Sequence, residues 1–232
     1  MSDVKCNIAA IVLSERVSYV CLIERDHRGL HTLQKAKIES SVPKQKRKCN
    51  RMEYDKEMNR FYRLIQQAMK KHVDVQSFRC VLLLSRDGLN TKFNNYLKKN
   101  GIRANCFMNM TYSGSASSIH EDPEINAKIE EVHTSYENQL LDSFIKKRST
   151  QPDRTIYGFK EVRYAVKEKA VQSVLVPNAS LTNQHRKLLK EVKKYKGNVH
   201  ILYYLEKERI MEISGIAAFL RSPIEVPDFG EE

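Results

Sequence analysis

Apolar and polar positions follow two different periods in the first hundred residues. Ile8–Leu13, Val17–Ile23 and Leu30–Ile38 are apolar or alternating runs, parted by the short polar breaks Ser14-Glu15-Arg16 and Glu24–Gly29. Breaks of that length connect hairpin strands, so three antiparallel strands in a meander are predicted. Between residues 53 and 72 the period lengthens: Tyr54, Met58, Phe61, Ile65, Ala68 and Met69 are spaced by 4, 3, 4, 3 and 1. That is one face of an amphipathic helix. Phe78–Leu84 reads as a buried strand, Asn90–Asn100 as a short helix stopped at Gly101, and Ile102–Met108 as a closing strand. The order βββαβαβ is that of an RNase H-like sheet.

The second half opens with Ile125, Ile129, Val132, Tyr136, Leu140 and Phe144, spaced by 4, 3, 4, 4 and 4 behind Asp122-Pro123. A cap and a proline at the first helical position predict a helix over Glu124–Lys147, broken at Thr150–Asp153. There follow a helix around Lys160–Ala170, a strand Val171–Val176, a helix Asn183–Lys196 stopped at Gly197, a strand Val199–Leu205, a helix around Lys207–Ile213 and a strand near Ile216–Leu220. Alternation of this kind implies a sheet covered by helices, an αβα sandwich. Tyr203 and Tyr204, at adjacent strand positions, should face opposite sides. The expected organisation is a domain over residues 1–115, a second over 120–226 and an acidic tail over 227–232. The seam falls in the small-residue stretch Thr111–His120.

Charge adds direction to this picture. The 232 residues carry 40 Lys and Arg against 28 Asp and Glu, a net of +12. Residues 1–120 hold 22 basic and 10 acidic side chains, and the remainder holds 18 of each. A basic half joined to a neutral one suggests that the first domain faces a polyanion. Its densest point is Pro43–Lys48, where Lys44, Lys46, Arg47 and Lys48 crowd four cations into five residues. A solvated loop would have the same composition, but the charge of the whole half turns the reading toward phosphate contact. Such contacts supply affinity and salt dependence, not sequence readout.

Several chemistries are excluded or unsupported. No stretch approaches the ~18 apolar residues of a membrane helix, and Met1–Asn7 lacks the apolar region of a secretory signal. Five dispersed cysteines argue against a disulfide framework or a paired-cysteine zinc site, which fits the cytoplasm. There is no phosphate-loop or dinucleotide glycine pattern, no paired-histidine metal motif and no nucleophile elbow. An RNase H-like nuclease needs carboxylates on its first strand to hold metal ions, and none lies between Cys6 and Leu13. No catalytic residue, metal ligand or cofactor is expected.

The segment His31–Glu39, followed by Val42-Pro43 and the basic run, resembles the central domain of the Pelota family, ribosome-rescue relatives of class-1 release factors. Tyr54–Tyr62 continues the likeness. Pro152–Lys160 and Ser214–Pro223 are similar to the Pelota C-terminal domain, so the resemblance spreads over nearly the whole chain in the family's order. It implies an RNase H-like domain followed by an αβα sandwich of the kind used by kink-turn-binding ribosomal proteins. It further implies a non-enzymatic, monomeric rescue factor. Such a factor enters the A site of a stalled ribosome with a translational GTPase of the elongation-factor-1-alpha type. It then hands over to an ABC-type ATPase that splits the subunits in no-go and non-stop surveillance.

Departures from the family are also visible. Its members begin with a Sm-like domain, whereas this chain starts at the central domain. The family's Pro-Gly-Phe loop, associated with the GTPase, reads Asp87-Gly88-Leu89, so Arg86, Asp87, Gly88 and Leu89 form the expected partner loop. No two glycines are adjacent, so the Gly-Gly-Gln device of peptide release is absent. An endoribonuclease acting on stalled mRNA is the alternative reading. A plain structural-RNA binder is a third, weakened by the neutral second half.

Overall fold

In the computed structural model, which describes residues 8–26, 29–41, 50–74, 78–103, 107–225 and 227, the chain divides into two units, Met1–Val132 and His133–Glu232. The first contains β1 (Ile8–Leu13), β2 (Val17–Asp26), β3 (Gly29–Glu39), α1 (Arg51–His72), β4 (Cys80–Ser85), α2 (Leu89–Lys99) and β5 (Phe107–Thr111). Their sheet order is β3-β2-β1-β4-β5, with the first three strands antiparallel and β4 and β5 parallel to β1. The meander and the RNase H-like order are therefore as the periodicity predicts.

One strand sits elsewhere than expected. Ile102 is not in β5 but in the stop signal of α2: its N–H donates to Leu97 O at 3.0 Å and that of Gly101 to Lys98 O at 3.1 Å. With Gly101 at φ 71°, this is the paired-bond ending that favours glycine. The strand itself begins at Phe107, opposite Val81 of β4.

The central strands β1 and β4 bury almost every residue, so the sheet needs a cover on each face. Side chains alternate cleanly between the two. Ala9, Ile11, Leu13, Val81 and Leu83 pack beneath α1 and α2, against Phe61, Ile65, Met69, Phe93 and Leu97. Ile8, Ala10, Cys80, Leu82 and Leu84 point the other way, where Tyr112, Ala116, Ile119, Ile125 and Ile129 close over them. Those last residues come from beyond β5 and from the start of α3 (Pro123–Thr150). The first unit thus runs to Val132, past the Thr111–His120 stretch where the polar composition places a seam. The polar groups of that stretch serve a tight local structure: Tyr112 Oη donates to Ser115 O at 2.7 Å, and Ser115 and Ser118 hydroxyls lie 2.8 Å apart. Asp122 caps α3 as expected, its Oδ1 accepting from the N–H groups of Glu124 and Ile125.

The second unit has a four-stranded sheet in the order β6-β9-β7-β8, built from β6 (Thr155–Tyr157), β7 (Val171–Pro177), β8 (Asn198–Leu202) and β9 (Ala217–Leu220). Three helices intervene: α4 (Phe159–Lys167), α5 (Asn183–Lys194) and the short α6 (Lys207–Met211). Val174 and Val176 face Val162 and Val166 of α4 and Leu188 and Val192 of α5. Leu175, Leu202 and Ala217 face Leu141 and Phe144 of α3 and Ile213. This is the expected αβα sandwich. Strand β6 is the one element the pattern did not give; three residues are too few to show a period.

Candidate functional site

Of the expected partner loop, three residues are presented and one is not. Arg86, Asp87 and Gly88 are exposed, whereas Leu89 is 5% exposed and belongs to the core with Phe93 and Leu97. Leu89 therefore cannot serve as a surface anchor, correcting the reading of all four residues as one contact. The turn is held from beneath. Ser85, the buried last residue of β4, accepts through Oγ from the N–H groups of Asp87 at 3.1 Å and Leu89 at 3.2 Å. Gly88 precedes α2 with φ 71° and ψ 12°, so it offers no side-chain cap, and the Ser85 hydroxyl supplies the missing acceptor. No atom lies within 4 Å of where its Cβ would be, so the left-handed backbone rather than space calls for glycine there.

Asn90 completes the frame. Its Nδ2 donates to Leu83 O at 3.1 Å and Met110 O at 2.9 Å, and its Oδ1 accepts from the Thr91 N–H at 2.9 Å. The ends of β4 and β5 are thereby tied to the first turn of α2. Arg86-Asp87-Gly88 projects from the carboxyl ends of two parallel strands, where binding loops sit on α/β scaffolds.

The basic run of Lys44, Lys46, Arg47 and Lys48 lies outside the described residues. Its flanks are placed: Ser41 Oγ donates to Glu57 Oε2 at 2.8 Å, and Asn50 caps α1 by accepting from the Met52 N–H. The helical layer that follows carries charge of its own. From Asn59 to His72 and through all of α2 there are seven Lys and Arg and no Asp or Glu. The opposite cover of the same sheet is acidic: residues 119–132 hold five Asp and Glu against Lys128 alone.

On β1, the positions a metal-dependent nuclease would give to carboxylates are Ile8, Ala9, Ala10 and Ile11, each at most 1% exposed. Among the described residues no group of three or more His, Cys, Asp or Glu side chains could hold a metal ion.

In the second unit the notable polar group is Glu137, 3% exposed. Its carboxylate accepts from the N–H groups of Tyr203 at 3.0 Å and Tyr204 at 2.8 Å, closing the end of β8. The strand stops at Leu202, so the two tyrosines do not alternate across a sheet as the sequence suggests; both are half-buried, and His133 stacks on Tyr204 with ring centroids 5.3 Å apart. No periodicity could reveal Glu137, since the apolar stripe read from the sequence runs through Tyr136 and Leu140 and leaves position 137 as an ordinary polar site.

The family model for eRF1 domain 2 matches residues 7–149 and that for eRF1 domain 3 matches residues 134–224. The chain belongs to the eRF1 family. Among its curated relatives are pelota homologues, 29% identical in Caenorhabditis elegans and 27% identical in Mus musculus. Both alignments cover 97% of this chain and 63% of the relative, so the chain spans less than two thirds of the proteins it matches. Two solved structures share the fold. Saccharomyces cerevisiae Dom34 is 23% identical, with a TM-score of 0.58 over 98% of this chain and 65% of that one. Ribosome-bound archaeal Pelota is 16% identical, with a TM-score of 0.69 over 95% of this chain and 63% of that one. The central and C-terminal domains of the Pelota type are the parts present here.

Proposed function

We propose that the protein acts in ribosome rescue: it binds the A site of a stalled ribosome with a translational GTPase and promotes subunit dissociation, without releasing the peptide. Membership of the eRF1 family and the pelota homologues support this reading. Dom34 is described as a translation termination-like factor involved in RNA quality control that interacts with Hbs1, and the archaeal structure is described as a model of ribosome-bound Pelota and ABCE1. The observation that separates rescue from termination is in the sequence. No two of the eight glycines are adjacent, so there is no Gly-Gly-Gln to orient water in the peptidyl transferase centre.

Within this reading Arg86, Asp87 and Gly88 meet the GTPase, and Lys44, Lys46, Arg47 and Lys48 meet rRNA phosphates. The chain works as a monomer in the cytoplasm, without a metal or organic cofactor. No helix among the described residues is long and apolar enough to cross a membrane. The test is a reconstituted reaction on ribosomes stalled on truncated mRNA, with GTPase, ABC-type ATPase and nucleotides. Subunits should separate with peptidyl-tRNA intact. Peptide release above a no-factor control, or subunits that stay joined while full-length Pelota separates them, would overturn the proposal.

A further inference from the structure

Helix α1 buries Met58, Phe61, Tyr62, Ile65 and Met69. On the opposite side, Arg60, Arg63, Gln67 and Lys70 recur at intervals of 3, 4 and 3 and are exposed, so they form one straight row. Ten residues at the helical rise make that row about 15 Å long. Beside it on the same layer, Lys92 and Lys99 of α2 are exposed and two turns apart. Like charges at helical spacing destabilise a helix unless an anion lies across them. Protein carboxylates do little of that work here. Arg60 has Glu57 at 3.9 Å, and among the described residues Arg63, Lys70, Lys92 and Lys99 have no ion-pair partner.

We infer that this layer is a docking surface for the phosphate backbone of double-helical RNA. Three cations, Arg60, Arg63 and Lys70, held in line on a rigid helix with the polar Gln67 among them fit a duplex backbone, which presents phosphates at regular short intervals. A single strand is bound instead on exposed aromatic platforms, and the layer offers none. Tyr62, Phe93 and Tyr96 are locked together, with centroids 5.3, 5.4 and 6.2 Å apart, and Tyr96 Oη donates to Gln66 Oε1 at 3.3 Å. The acidic cover on the other face of the sheet repels the same ligand, so the unit is polarised and approaches a polyanion with one side only. The duplex form rests on the geometry of the layer; its being RNA rests on the rescue reading.

The test combines Arg60→Gln, Arg63→Gln and Lys70→Gln in the whole chain. Binding to an RNA stem-loop and to a uridine homopolymer is followed by fluorescence anisotropy across salt, with co-sedimentation on vacant ribosomes alongside. For the stem-loop, the slope of log K against log salt should flatten by about 2 to 3, near one for each phosphate contact removed. Glu121→Gln with Glu124→Gln, on the acidic cover, should leave that slope in place. An unchanged slope in the triple variant overturns the assignment. So does tighter binding of the homopolymer than of the stem-loop, or displacement of the stem-loop by polyglutamate at lower concentration, which would make the partner an acidic protein. If the unsubstituted chain binds the stem-loop as described but never sediments with ribosomes, the layer assignment stands and the rescue reading fails.

Discussion

Both units sandwich a mixed sheet between two covers, and both draw one cover from α3 and the other from a helix pair. The pairs differ in how their charges are arranged. In the first unit the carboxylates Glu53, Asp55 and Glu57 are confined to the first two turns of α1, and from Asn59 on Arg60, Arg63 and Lys70 share one row with the neutral Gln67. In the second unit α4 and α5 carry eight Lys and Arg, but Glu161 and Glu191 interrupt them. Glu191 stands four residues after Lys187 and three before Lys194, the spacing at which a carboxylate offsets its neighbours. The units also change the arithmetic of the halves. Met1–Val132 holds 23 basic and 15 acidic residues and His133–Glu232 holds 17 and 13, so they carry +8 and +4 rather than +12 and zero. The acidic start of α3 belongs to the first unit, and removing it uncovers a modest positive charge on the second. Positive character here is a property of faces, not of halves of the chain.

The largest effects should come from breaking each core separately. Phe93 and Phe144 are both 0% exposed, one in each unit. Phe93→Ala and Phe144→Ala should each cost about 3–5 kcal/mol. Calorimetry or denaturant melts should show each substitution lowering a different transition; a single common shift would mean the two cores do not melt independently. Next is Leu89→Ala, at about 2–5 kcal/mol of stability because the side chain is core. GTPase binding by the folded protein should be unchanged by it and weakened by Arg86→Ala. The opposite pattern, measured by pull-down with nucleotide present, would return Leu89 to the contact surface.

Glu137→Gln tests the second unit alone. An amide oxygen can accept only part of what two N–H groups now give a carboxylate, and the loss should be about 1–3 kcal/mol, read as a lower midpoint of the second transition. The smallest effects are in pH. Burial pushes the Tyr62 hydroxyl up to about 12 and the Cys21 thiol up to about 11, both in the first unit. The folded state then holds protons that the unfolded chain gives up, so stability is full below the ordinary tyrosine and cysteine ranges and is lost as pH rises toward these values. In the second unit burial lowers the pKa of His185, whose Nδ1 lies 2.8 Å from Thr182 Oγ1 in the cap of α5. The unfolded chain takes up that proton first, so stability falls as pH drops through the ordinary histidine range. Midpoints recorded across pH should show the first transition weakening at the alkaline end and the second at the acid end; the reverse assignment would contradict this account.

Much of this molecule is written locally. The short unbroken apolar run Ile8–Leu13 and the 4-3-4-3 spacing of α1 place a strand and a helix because run length and a period near 3.6 leave a mark that needs no distant partner. The Asp122 cap, the Gly101 stop, the missing Gly-Gly-Gln and the cation row at Arg60, Arg63 and Lys70 can be read in the same way. What the tertiary structure decided is which of several compatible partners each group took. Leu89 looks like a loop residue until α2 packs and draws it into the core. Glu137 looks like a solvated helix position until two backbone N–H groups, 66 and 67 residues away, need an acceptor. The stretch from Thr111 to His120 looks like a linker until the second apolar face of β1 and β4 requires a cover. Local pattern states what a residue can do; burial and hydrogen-bond satisfaction, which depend on segments far apart in the chain, select what it does.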